Sequence, residues 1–220
     1  MAIQIQGSSG TVAEVDGTNF RAVRITPRPI DYGTLGHYRL SQTVALVATQ
    51  AVNGTLFSWR WGDATRLCVV TKIKLSCMQT AAATATIMPA YQVFIARSFT
   101  ASDSSGTALT ATGNNLKKRT SMGSTLVTDA RFSAAAAGLT AGTRTLDANP
   151  VLELNTQQLI TTPNTTLYTT EMDIGAGDGN HPFVFAQNEG FIVRGPTVVF
   201  GAAGTANLTA EMSWAEVTAY

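Results

Sequence analysis

The feature that most limits what this chain can fold into is its last alternating run. Ala206, Leu208, Ala210, Met212 and Trp214 share one parity, and Asn207, Thr209, Glu211, Ser213 and Ala215 share the other. A period of two held over about ten residues marks a half-buried antiparallel strand. Just before it, Gly190-Phe191-Ile192-Val193-Arg194 and Thr197-Val198-Val199-Phe200 are rich in β-branched and aromatic residues, and Gly195-Pro196 separates them. Gly201-Ala202-Ala203-Gly204 offers a reversal. The spacing predicts a C-terminal β-hairpin with residues 205–215 as its long arm.

The rest of the chain repeats the strand signal in shorter pieces. Residues 37–40 and 43–48 lead to Asn53-Gly54, a type I′ turn signal. Residues 55–61 then alternate, with Phe57, Trp59 and Trp61 on one side. Such a ridge predicts core, since each ring buries on the order of 150–250 Å²; a sugar-stacking platform uses the same residue types. Residues 65–78 hold strand sequence with Leu67, Val69, Ile73 and Leu75 as the expected inward set. Further strand signals lie at 91–97, 126–132, 151–154, 166–172 and 183–186, divided by Gly, Asn, Ser and Pro clusters. Ala134 to Ala137 suffice for one helical turn at most before Gly138. The expected fold is all-β, an antiparallel β-sandwich of jelly-roll type over residues 37–220, because that arrangement packs many short strands and limits free edges.

Residues 1–36 read differently. Gly7-Ser8-Ser9-Gly10 is flexible, and Pro27 and Pro29 forbid a central strand. This is an extended N-terminal arm in expectation. Its apolar residues Val12, Val15, Phe20, Val23 and Ile25 need a surface, either on a neighbouring subunit or on their own domain.

Composition narrows the function classes. Charged residues make up 13% of the chain, about half the usual share, and net charge is +1. That balance argues against phosphate neutralisation of nucleic acid. It fits a surface covered in an assembly, and equally a soluble β protein with a Thr-rich surface. Met1-Ala2-Ile3-Gln4 lacks the basic and apolar regions of a signal peptide, and no apolar run reaches the ~18 residues of a membrane span. Cys68 and Cys77 either bridge neighbouring strands or stay as buried thiols.

Catalytic and metal patterns are weak. His37 and His181 are the two histidines, with no HExxH or HxH spacing. Asp173 and Asp178 among glycines resemble a loose cation loop without EF-hand spacing. Glu211 and Glu216 have opposite parity on one strand, so they do not face each other as a glycosidase pair would. No catalytic residue, metal or cofactor is expected, and no enzyme. Lys117, Lys118 and Arg119 form the one basic cluster, either a solvated loop or a contact for an acidic neighbour.

Three stretches together resemble a group of uncharacterised virion proteins of tailed bacteriophages and prophages. They are residues 10–17 with Phe20-Arg21-Ala22, then Thr112-Gly113-Asn114-Asn115 with residues 119–124, then residues 188–194 with Trp214-Ala215-Glu216-Val217. The resemblance implies a particle component such as a capsid cement or decoration protein. It implies a homo-oligomer, commonly a trimer, bound to the major capsid protein or other virion neighbours and assembled in the bacterial cytoplasm. The alternative is a tail-associated receptor or carbohydrate binder using Trp59, Trp61 and the loops at 98–115 and 173–182.

Overall fold

A computed structural model describes residues 36–160, 166–173, 182–199 and 203–218. Contacts divide the chain into Met1–Asp31 and Tyr32–Tyr220. The expected arm, with Val12, Val15, Phe20, Val23 and Ile25, lies outside the described residues, as do Asp178, His181 and Phe200.

The described residues hold strands and no helix. In chain order these are β1 (Gly36–Leu46), β2 (Thr55–Trp61), β3 (Leu67–Ala81), β4 (Ala90–Phe99), β5 (Thr107–Ala108) and β6 (Val127–Phe132). They continue with β7 (Arg144–Leu146), β8 (Leu152–Asn155), β9 (Tyr168–Asp173), β10 (Phe183–Phe185), β11 (Gly190–Arg194) and β12 (Thr205–Val217). One sheet runs β1-β12-β3, with β9 and β10 sharing the far edge of β3. The other runs β5-β6-β2-β11-β4, with β7 and β8 sharing the far edge of β4. Every strand pair is antiparallel. The two sheets pack face to face as a β-sandwich.

The parity of β12 sets the core as the sequence predicts. Ala206, Leu208, Met212 and Trp214 turn inward and meet Phe57, Trp59, Trp61, Phe191 and Val193 from the opposite sheet. Trp59 sits at the centre, with ring centroids of Phe185, Phe191, Trp214 and Trp61 5.6, 5.8, 5.8 and 6.3 Å away. Gly190 lies where an added Cβ would meet the Trp59 carbonyl oxygen, so β11 can approach β2 closely only with glycine there.

One expectation about the core is half wrong. Ile73 and Leu75 face inward, but Leu67 and Val69 lie on the outer face with Ala215, Val217 and Val184. The cause is a β-bulge. Lys72 pairs with Ser213 and Val70 with Trp214, which leaves Thr71 over. One extra residue reverses the parity, so Cys68 and Val70 point inward instead. The Thr71 hydroxyl donates to the Ser213 carbonyl at 3.2 Å and closes the bulge.

The C-terminal hairpin is also corrected. β11 lies between β2 and β4, whereas β12 lies in the other sheet between β1 and β3. Thr197, Val198 and Val199 form no strand; they carry the chain from one sheet to the other, anchored where Thr197 N–H donates to the Ala90 carbonyl at 3.1 Å. Pro196 has no N–H for a ladder, and Gly195 takes a φ of 154° that suits glycine. The same reason corrects the Asn53-Gly54 turn. β1 and β2 belong to different sheets, and only Asn53 of the pair takes a positive φ, of 56°, so the turn is not type I′. Residues 134–137 form a turn, closed where Gly138 N–H reaches the Ala135 carbonyl at 2.9 Å.

Candidate functional site

The basic cluster becomes part of a larger feature. Asn115 and Leu116 lie in a strap stapled to the free edge of β1. Arg39 N–H donates to the Leu116 carbonyl at 2.8 Å, and Lys118 N–H donates to the His37 carbonyl at 3.1 Å. Gly113 and Leu116, with φ of 65° and 66°, bend the strap into place. Under it opens a groove of about 820 Å³. Arg39, Lys72, Lys117 and Lys118 supply its positive charge and Glu211 its one carboxylate; Leu116 lines it as well, while Leu40 and Met212 border it with their side chains turned into the core.

The local hydrogen bonds show how the cations are held. Lys117 Nζ lies 3.3 Å from Asn114 Oδ1, and Lys118 Nζ lies 3.3 Å from His37 Nε2. Lys72 pairs with Glu171 at 2.9 Å. Burial and the Lys118 charge push His37 down to about 4, so its imidazole is neutral at pH 7. No histidine, cysteine or aspartate lines the groove. Four cations against one carboxylate give the groove a positive potential.

The sequence brought Lys117, Lys118 and Arg119 together; the structure keeps the first two and replaces the third. Arg119 turns away to Ser121, its Nε 3.1 Å from the Ser121 hydroxyl, and does not line the groove. Arg39 and Lys72 take part instead, a match that depends on strand register and leaves no mark in the local sequence.

A second surface lies at one end of the sandwich. The large apolar side chains exposed among the described residues are Val47, Val52, Met78, Met88, Ile160, Leu167, Val198 and Val199. All lie at the end where β1 and β3 finish and where β2, β4, β9 and β12 begin. Gln79 Nε2 on β3 donates to the Leu159 carbonyl after β8 (2.9 Å) and ties the two sheets there, while Thr156 N–H to the Pro89 carbonyl (3.0 Å) and Asn53 N–H to the Pro196 carbonyl (2.8 Å) hold the loops of the second sheet together. These apolar residues gather at one pole instead of being scattered singly.

Other candidates resolve as structure. Trp59 and Trp61 are fully buried, so neither ring offers a face to a sugar. Glu211 lines the outer groove and Glu216 is buried at the far end of the core, on opposite faces as their parity requires. Asp103 and Arg144 form a buried ion pair that pins the loop after β4. Among the described residues no three His, Cys, Asp or Glu side chains group as metal ligands.

Cys68 and Cys77 are free thiols on the same strand. Nine residues of β3 separate them by roughly 30 Å, against the 7 Å limit for a disulfide. Burial pushes Cys77 up to about 12 and Cys68 well above the ordinary thiol range. Neither thiol should react with a disulfide reagent in the native protein at pH 8, and both should react once the chain is unfolded. Rapid labelling of either one in the native state would contradict this burial.

Comparison of the chain with protein-family models, with curated proteins and with solved structures finds no match.

Proposed function

We propose that this chain is a structural component of a bacteriophage particle, a cement or decoration protein that self-associates and binds the capsid shell without turning over a substrate. The observation that carries this reading is the surface. A chain with 13% charged residues gathers its exposed large apolar side chains at one pole and carries an open groove with four cations on the outer face of one sheet. Apolar contact gives the adhesion and the groove gives the register, because charge selects and orients a partner more than it tightens it. The strand order adds support. β1 lies beside β12 and β2 beside β11, the chain ends wrapping together as in jelly rolls of capsid proteins. The major capsid protein, or a neighbouring virion protein, is the partner, and assembly takes place in the bacterial cytoplasm. Residues 2–35 add contacts to a neighbour through Val12, Val15, Phe20, Val23 and Ile25.

The test is binding to particles that lack the protein. Purified wild type should bind them and raise their resistance to heat. Lys117→Glu combined with Lys118→Glu should lower occupancy on the order of tenfold near physiological salt, with the fold intact by circular dichroism. Deletion of residues 2–35 should lower it as well. Wild type that ignores particles at any concentration, or that cleaves a polysaccharide, would end the proposal.

A further inference from the structure

The first sheet ends on β1, and among the described residues most of that edge is open. The strap covers the start of the strand, reaching no further than Arg39. β1 ends at Leu46, where the chain turns through Ala48 and Thr49. Between these limits lies Leu40–Leu46, seven residues centred on Thr43. Outward backbone groups alternate along an antiparallel strand. His37 and Arg39 bond outward to the strap, so Ser41, Thr43 and Ala45 also point their N–H and C=O groups away from β12. Among the described residues no backbone group meets them. The Thr43 carbonyl is occupied only by its neighbour's side chain, the Gln42 amide at 2.8 Å.

Natural sheets guard such edges with lysine, proline, bulges or covering loops. Leu40-Ser41-Gln42-Thr43-Val44-Ala45-Leu46 has no charge and no proline, and its pairing with β12 is regular throughout. Among the described residues nothing guards this stretch of β1, whereas the strap protects the start of the strand.

We infer that Leu40–Leu46 pairs with the same stretch of a second copy of this chain, antiparallel, about a twofold axis at Thr43. The stretch is complementary to itself. Thr43 meets Thr43, Ser41 meets Ala45, and the outward N–H and C=O groups of all three find partners. The exposed outer-face side chains that would meet are Ser41, Thr43 and Ala45, which are small and uncharged, so no like charges oppose one another across the axis. The partner's strand would end opposite Leu40, one residue short of the strap. The Gln42 amide that holds the Thr43 carbonyl in the single chain is displaced by the partner's Thr43 N–H. This contact is isologous. It joins copies in pairs, and its Ser41 end borders the groove. It names one partner for the assembly reading above and rests on that reading's premise of self-association.

Thr43→Cys tests the contact in the full-length chain, where the two native thiols are buried. Directly opposed, hydrogen-bonded residues in an antiparallel pair lie about 5.5 Å apart at Cα, within disulfide reach. Mild oxidation should give a covalent dimer from Thr43→Cys and not from Thr128→Cys, an exposed position on the other sheet. Thr43→Lys, which sets like charges against each other on the axis, should weaken self-association measured by sedimentation on the order of tenfold. Cross-linking of Thr43→Cys no faster than of Thr128→Cys, or unchanged sedimentation of Thr43→Lys, overturns the inference. Particle binding reads the other proposal separately. Chains that bind particles without cross-linking at Thr43 lose only the edge contact, and chains that cross-link but ignore particles lose only the virion role.

Discussion

Trp59→Phe should leave the protein nearly as stable as wild type, while Trp59→Ala should cost about 3–5 kcal/mol. Both follow from the same surroundings. The Trp59 ring is fully buried against Trp61, Phe185, Phe191 and Trp214, so removing it opens a cavity that four aromatic rings cannot collapse to fill. Its indole N–H, however, is buried without a hydrogen-bond partner. A buried donor left unsatisfied costs roughly 1–3 kcal/mol. Phenylalanine loses volume and also removes that unmet donor, and the two effects oppose each other. Trp61 and Trp214 provide the contrast. Trp61 Nε1–H donates to the Arg66 carbonyl at 2.9 Å, and Trp214 Nε1–H donates to the Glu216 carboxylate at 3.3 Å. Phenylalanine at either position loses volume and a bond together, so each should cost about 1 kcal/mol more than Trp59→Phe. Denaturant midpoints at constant slope would measure the order. A Trp59→Phe loss as large as that of Trp61→Phe would mean that the buried donor costs nothing.

These tryptophans also show how far the sequence could be read. Alternation in residues 55–61 and 206–214 placed Phe57, Trp59, Trp61 and Trp214 in the core because side-chain direction along a strand is local. The same logic failed at Leu67 and Val69, because a bulge at Thr71 is decided by the partner strand β12 and not by the residues around it. It failed again at Val198 and Val199. A β-rich run normally predicts a hairpin, but whether consecutive runs stay in one sheet depends on the whole wrapping of the chain. The groove lies beyond local reading altogether. Lys117 and Lys118 are visible as a cluster, yet Arg39 and Lys72 join them only through the strap on β1 and the pairing of β1 with β12 and β12 with β3. The apolar pole is likewise a property of topology, since its members are scattered from Val47 to Val199.

Glu216→Ala should be among the most destabilising single changes in the chain, at about 3–5 kcal/mol, whereas Glu216→Gln should be neutral or stabilising above mildly acidic pH. The Glu216 Oε1 atom accepts from the Thr125 hydroxyl, from Leu126 N–H at 3.0 Å and from Trp214 Nε1–H at 3.3 Å. Alanine strands three donors at the end of the core; glutamine keeps an oxygen in the same place. Burial raises the Glu216 pKa above its ordinary 4.5, and these donors and Arg66 only partly offset it. A raised acid pKa means that the folded chain holds the proton more tightly than the unfolded chain does. The stability from that proton is complete below the unfolded value and is lost as pH rises through the folded one. Its buried neighbours Tyr38 and Cys68 stay neutral across this window, because burial first and the Glu216 charge second push both upward. His37 gives a slope of the opposite sign, since its folded pKa of about 4 lies below the ordinary 6.5. The two slopes overlap in a single melting curve. Subtracting the wild-type stability-against-pH curve from that of Glu216→Gln removes the histidine and isolates the carboxylate. The difference should favour the glutamine variant increasingly as pH rises from about 4.5, then level off once Glu216 is ionised in both states. A flat difference would mean that the carboxylate is no harder to ionise in the core than in water.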